Sequence, residues 1–358
     1  MKRLRPIGVA LGCTMLASGA MAQLSITPPS QTPPAKKEAP KEKPKVHSPV
    51  AKKPTPKPAA TPTPTPTALP SLKQAFDDPN VDLVYGAYQR GLYKTAFDLA
   101  TARAQYNGDP KSMTMLGELY ANGLGVKRDY AKADEWYRKA TDGGDREAMF
   151  ALAMMKIAGR GGTVDKDGAV NLLASAAKLG EPKAAYNLAL LYLDGQTLPQ
   201  DVNRSAELLR MAADAGNPEA QYALATFYKE GTGVPKDLEK SVRLLQAASL
   251  ADNVDAEVEY AIALFNGTGT PRNQPAAVAL LRKAARQNSA IAQNRLAFVL
   301  ATGEGAPMDK VEALKWHTVA KTAGKGDPAL DEMLADMTPG DRAKGEDAAR
   351  KWIGNNVK

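Results

Sequence analysis

From residue 112 to residue 324, short stretches with apolar residues at helical spacing alternate with polar turns, and the whole pattern returns every 36 residues. Leu116, Leu152, Leu188, Leu224 and Leu296 hold one register position, with Tyr260 in the fifth copy. Alanine holds two more without exception: Ala140, Ala176, Ala212, Ala248, Ala284 and Ala320 in one series, Ala148, Ala184, Ala220, Ala256 and Ala292 in the other. The breaks are equally regular. Gly123, Gly159, Gly195, Gly231, Gly267 and Gly303 each precede a second glycine by two residues, except in the third copy, where Thr197 stands. Six residues after the first glycine comes Asp129, Asp165, Asp201, Asp237, Asn273 or Asp309. A short acceptor side chain there predicts a helix N-cap, because it satisfies a free backbone N–H of the first turn. Farther on stand Gly144, Gly180, Gly216, Asp252, Asn288 and Gly324. These residue types best tolerate the left-handed conformation that closes a helix.

Each unit therefore predicts a helical hairpin, with the first helix ending at Gly-x-Gly and the second starting at the Asp/Asn cap. One hairpin cannot bury both its faces, and the small alanines let neighbours approach closely, so successive hairpins stack. The fold class predicted is all-α, an α/α solenoid with an unstructured N-terminal region. Local distortion is expected at Gln196-Thr197 and at Tyr260, where the pattern departs. Residues 71–111 form a degenerate first unit, with Gly91, Ala96, Ala104 and Gly108 between Tyr85 and Asp109-Pro110. After Gly324 the period stops. Asp327-Pro328 and Thr338-Pro339 each predict a helix start, and 325–358 is read as a helical cap with Trp352 near its end.

The run Leu116-Gly117-Glu118-Leu119-Tyr120-Ala121-Asn122-Gly123-Leu124-Gly125-Val126, followed by Asp129-Tyr130-Ala131-Lys132-Ala133 and Trp136-Tyr137-Arg138-Lys139-Ala140, resembles the Sel1-like repeat, a relative of the tetratricopeptide repeat. The resemblance covers residues 112–324 in six units. It implies protein–protein interaction, first helices that line the concave side of the solenoid, and a kinship with exported regulators of envelope signalling or assembly.

Charge divides the chain. The formal net charge is +8, but residues 1–70 carry eleven Lys/Arg and two Glu, so the remainder is nearly neutral at −1. The basic excess lies outside the repeats, which removes the main support for nucleic-acid binding. Residues 1–22 have the layout of a secretory signal: Lys2, Arg3 and Arg5, an apolar run from Ile7 to Leu16, and Ala20-Met21-Ala22 as the cleavage site. Cleavage after Ala22 is expected, giving a periplasmic or secreted protein with no stable membrane insertion. It would remove Cys13, the single cysteine of the chain. Residues 23–70 hold fourteen prolines, a Thr-Pro alternation from Thr61 to Pro66, and lysine pairs Lys36-Lys37 and Lys52-Lys53. That composition suits an extended linker rather than a core, and its lysines suit contact with anionic cell-wall polymers.

The chemistry-bearing inventory is thin. His47 and His317 are the only histidines, which argues against imidazole-centred triads and, with no cysteine in the processed chain, against Cys/His zinc sites. No Gly-x-x-x-x-Gly-Lys occurs, and Gly123-Leu124-Gly125 lacks the third glycine of a dinucleotide fingerprint. Asp134-Glu135 and Asp331-Glu332 fall on helix faces where solvation is the default. Together with the Sel1-like resemblance, which implies binding of a protein partner, this thin inventory predicts a non-enzymatic adaptor that needs no cofactor and no metal and acts as a monomer. Two alternatives are a cell-wall or glycan-associated factor with weak carboxylate-based hydrolase activity and a secreted host-interaction factor. The candidate partner-binding residues are two series on the first helices, Phe150, Tyr186, Tyr222 and Val258, and Met154, Leu190, Ile262 and Phe298. Within a unit the two lie four residues apart, on one helical face. They form either an exposed apolar groove or the packing between neighbouring hairpins.

Overall fold

The computed structural model describes residues 82–356, so the expected signal at 1–22 and the linker at 23–70 lie outside the described residues. Those described form sixteen helices and no strand. A first hairpin, α1 (Leu83–Gln89) and α2 (Tyr93–Asn107), precedes six units: α3 (Pro110–Asn122) with α4 (Tyr130–Asp142), α5 (Arg146–Ala158) with α6 (Lys166–Lys178), α7 (Pro182–Asp194) with α8 (Val202–Asp214), α9 (Pro218–Glu230) with α10 (Leu238–Leu250), α11 (Val254–Asn266) with α12 (Gln274–Arg286), and α13 (Ala290–Thr302) with α14 (Lys310–Thr322). Two helices, α15 (Pro328–Met333) and α16 (Pro339–Asn356), close the array. Helices pack mainly on their sequence neighbours, which is the layout of a solenoid whose stability sums over units and interfaces.

The caps explain the regularity. Asp129, Asp165, Asp201, Asp237, Asn273 and Asp309 each accept a backbone N–H from the first turn of the second helix. The backbone N–H of the same residues donates back to the first helix, for example Asp129 to Tyr120 O at 3.0 Å and Asp237 to Tyr228 O at 2.8 Å. At the far end of the second helix, the residue after the left-handed position donates to the carbonyl of the invariant alanine: Asp145 to Ala140, Asn217 to Ala212, Lys325 to Ala320. This is the 6→1 bond of a Schellman closure. Asp252 (φ 60°) and Asn288 (φ 65°) are the only non-glycine residues with positive φ among those described, as the pattern predicts.

The two glycines of each turn do different work. The first caps its helix in the left-handed conformation, as at Gly159 and Gly231. The second abuts the start of the second helix one unit upstream: a Cβ at Gly161 would lie 2.8 Å from Tyr130 O, and one at Gly233 2.8 Å from Val202 O. Gly125 meets Tyr93 in the same way, which joins the degenerate first hairpin to the array. In the third unit Thr197 avoids positive φ, so the expected distortion at Gln196-Thr197 is confined to that loop, and α7 and α8 keep the thirteen-residue length of their counterparts. The distortion expected at Tyr260 does not occur. Helix α11 is uninterrupted, and the half-buried tyrosine instead lines an open cleft of about 470 Å³ with Glu239, Val242 and Arg243.

His317 takes the core position that Tyr137 holds in the first unit. It is buried and hydrogen-bonded through Nε2 to Asp331 Oδ1 at 2.9 Å. Asp331, expected as a merely solvated carboxylate, thus joins the cap to α14, and the bonds to His317 and Lys321 hold its carboxyl below the usual aspartate range. Trp352 packs edge-on against Trp316 at 5.0 Å, with Lys315 Nζ 4.1 Å and 4.7 Å from the two ring centroids.

Candidate functional site

The first helices α3, α5, α7, α9, α11 and α13 present a ridge toward the next unit. First helices of adjacent units touch, α1 with α3 and α3 with α5, and Glu118 feels the charge of Lys183 across the unit between them. Contacts that skip the intervening second helix place these first helices on one side of the array, the side that the resemblance to tetratricopeptide-like solenoids assigns to the inner wall. The ridge is built from the second, fifth, sixth and ninth residues of each first helix, on one face by helical geometry.

The structure divides the eight sequence candidates. Met154, Leu190, Val258 and Ile262 are buried. Phe150, Tyr186, Tyr222 and Phe298 are half-buried. Phe150 and Tyr186 lie against the central core cluster, Tyr222 against a small cluster around Ala225 and Leu245, and Phe298 against the C-terminal core. No exposed apolar groove forms from these residues. The surface is a row of half-covered aromatics with polar neighbours.

Those neighbours are acidic in the middle of the array. Burial and the carboxylate of Glu219 push the Tyr186 hydroxyl up to about 12. Burial, with Asp255, Glu259 and Glu230, pushes Tyr222 up further. Asp255 is exposed, yet desolvation followed by Glu259 raises its carboxyl; a side chain that reaches water while walled by protein has this signature. Lys229 Nζ lies 2.9 Å from Glu259 Oε2. Sequence reasoning missed these acids because they belong to no turn or core series, although Glu147, Glu219 and Asp255 share one register position and could have been read from it.

A second polar cluster sits at the N-terminal end. Glu118 accepts from Asn122 Nδ2 at 2.8 Å and from the Tyr137 hydroxyl at 3.3 Å, and its charge acts on the nearby Tyr88 hydroxyl. Tyr137 is buried, with its ring seated on Gly117. Burial raises the Glu118 carboxyl against the pull of these donors. A carboxyl raised on folding stabilises fully below its unfolded value, and that contribution is lost as pH rises through the folded value. Glu118→Gln keeps an acceptor for Tyr137 and removes the ionisation. Its melting temperature should therefore match the parent near pH 4 and equal or exceed it at pH 7, with a flatter pH profile; an equal profile for both proteins would show that Glu118 carries no folding-linked titration.

Among the described residues no group of three or more His, Cys, Asp or Glu side chains is arranged to hold a metal ion, and no helix is long and apolar enough to cross a membrane.

The Sel1 repeat family matches six consecutive segments, residues 110–145, 146–181, 182–217, 218–253, 254–289 and 290–325. Among solved structures, a Sel1 repeat protein from Oxalobacter formigenes is similar at 26% identity and a TM-score of 0.60, over 67% of this chain and 98% of that one. The protein c5321, a protective antigen of uropathogenic Escherichia coli strains, is similar at 25% identity and a TM-score of 0.51, over 73% of this chain and 64% of that one. No curated protein matches the chain.

Proposed function

The chain belongs to the Sel1 repeat family, and from that premise we propose that it is an exported, periplasmic or secreted adaptor without catalytic activity, which binds a protein partner along the inner wall of the solenoid and serves in cell-envelope signalling or assembly. Sel1 repeat proteins are commonly interaction scaffolds. The observation that carries the reading here is the half-buried aromatic row at Phe150, Tyr186 and Tyr222 beside exposed carboxylates. Partly desolvated tyrosines join apolar area to a polar tip, the combination that suits a protein partner. The leader-like residues 1–22 and the proline-rich segment after them support export and a spacer ahead of the solenoid.

In-cell photo-crosslinking tests this reading, with the probe at Tyr186 and, separately, at Tyr222, and a control probe at Arg210 on the exposed face of α8. A discrete protein captured from the two tyrosine sites and absent from the control is the expected result. Equal capture from all three sites, or from none in a well-folded protein, would remove the inner wall as the binding face.

A further inference from the structure

We propose that the inner wall at Tyr186 and Tyr222 is occupied in the resting protein by a segment of this same chain, the lysine- and proline-rich stretch from Lys36 to Lys57. This rests on the reading of the inner wall as the binding face and adds the chemistry of what that face binds: an extended, cationic polypeptide.

The charge balance favours it. Glu219 stands by Tyr186, and Glu230, Asp255 and Glu259 stand by Tyr222; the cations facing them, Lys229 and the partly buried Arg295, both act on Glu259 and leave the other three acids without one. Glu219, Glu230 and Asp255 form no ion pair with another described residue, whereas Asp134, Glu207 and Asp341 on other helices pair with Arg138, Arg204 and Lys344 of their own helix. Asp255 sits beside the like charge of Glu259 in a partly desolvated place, so an added cation gains more there than on an open surface.

The segment supplies that cation in the required form. Residues 23–70 contain eight lysines and two glutamates, and all eight lysines fall between Lys36 and Lys57, with prolines among them. Proline spacing favours an extended backbone, and tyrosine faces accept both proline rings and lysine stems.

Reach permits the contact. Lys57 precedes Asp82 by twenty-five residues, a contour of up to about 80–90 Å. The helix bearing Tyr222 lies four hairpins along from α1, on the order of 40 Å at the 8–10 Å spacing of packed helices. A tether of this kind holds its end at an effective concentration near the millimolar range, enough for individually weak ion pairs to populate the contact. An external partner with a cationic segment would then have to displace the chain's own.

The test is zero-length carbodiimide crosslinking of the processed chain, residues 23–358, which joins lysine amines directly to carboxylates. The expected result is linkage of Lys36–Lys57 concentrated on Glu219, Glu230 and Asp255, independent of protein concentration and at least tenfold weaker in 0.5 M salt. The variant Glu219→Gln/Glu230→Gln/Asp255→Asn changes exposed sites and should stay folded; it should show a larger radius of gyration than the parent at low salt. Linkage spread equally over outer-face carboxylates such as Glu135 and Glu239 would overturn the proposal. So would linkage that rises with protein concentration, which would indicate a second copy, or equal radii for the two proteins. If photo-crosslinking at Tyr186 and Tyr222 captures a partner while the self-linkages are absent, the self-docking fails and the adaptor reading stands.

Discussion

Gly233→Ala is expected to destabilise the protein by about 2–5 kcal/mol, the sum of the handedness cost of a left-handed non-glycine residue and the cost of forcing atoms into a filled contact. Gly216→Ala should lose only the first part. Both glycines have positive φ, 64° and 85°. They differ in what a Cβ would touch. At Gly233 it would lie 2.8 Å from Val202 O and 2.9 Å from Val202 Cγ1, and at Gly216 nothing lies within 4 Å. The backbone oxygen cannot swing aside, so the loop before α10 would have to lift off the start of α8. Because units are held chiefly by nearest-neighbour interfaces, a loss of this size at one of them also weakens the coupling between the halves of the array. Denaturant melts followed by circular dichroism should therefore show a broadened or two-step transition for Gly233→Ala and a single, slightly shifted one for Gly216→Ala. Equal shifts would mean that the glycine contact contributes nothing to stacking.

That pair also shows what the sequence could and could not reveal. Helix starts and stops were legible because each is fixed by one residue type with one local reason: a short acceptor at Asp165, a left-handed residue at Gly180 or Asn288. The second glycine reads as part of the turn, since a glycine required by backbone conformation and one required by a neighbour's carbonyl look the same in a single chain and recur with the same period. The inner wall was ambiguous for a related reason. A residue facing the next hairpin and one facing a partner both repeat every 36 residues, so Met154 and Tyr186 could not be told apart until packing placed the first in the core and left the second half-covered. The Glu118 cluster was hidden more deeply, because Tyr88, Glu118 and Tyr137 come from three different helices and no spacing connects them.

Removing the ammonium of Lys283 should cost about 2–3 kcal/mol, at or just below the range for breaking a buried ion pair, because the lysine itself is half exposed and water can take part of its place. Its partner Glu257 has no exposed surface. The fourth position of the first helix, which Glu257 occupies in the fifth unit, is glutamine in the fourth and sixth. There the amide donates to a carbonyl near the end of the preceding helix: Gln221 Nε2 to Ala213 O at 3.2 Å, and Gln293 Nε2 to Ala285 O at 3.1 Å. A carboxylate cannot donate, so the equivalent Ser249 carbonyl has no amide facing it, and Glu257 instead pairs with Lys283, which also reaches Asp252 Oδ1 at 2.6 Å. Lys283→Met keeps most of the side-chain stem and strands a buried charge. Glu257→Gln removes that charge and supplies the donor used by the neighbouring units, so Lys283→Met/Glu257→Gln should recover most of the loss. The single Glu257→Gln should be neutral or stabilising, as replacement of buried ionic groups often is. Thermal and denaturant melts of the three variants give the coupling energy directly. If the double variant is as unstable as Lys283→Met alone, then the cost comes from the packing of the lysine stem or its bond to Asp252, and the buried carboxylate is held by something other than this ammonium.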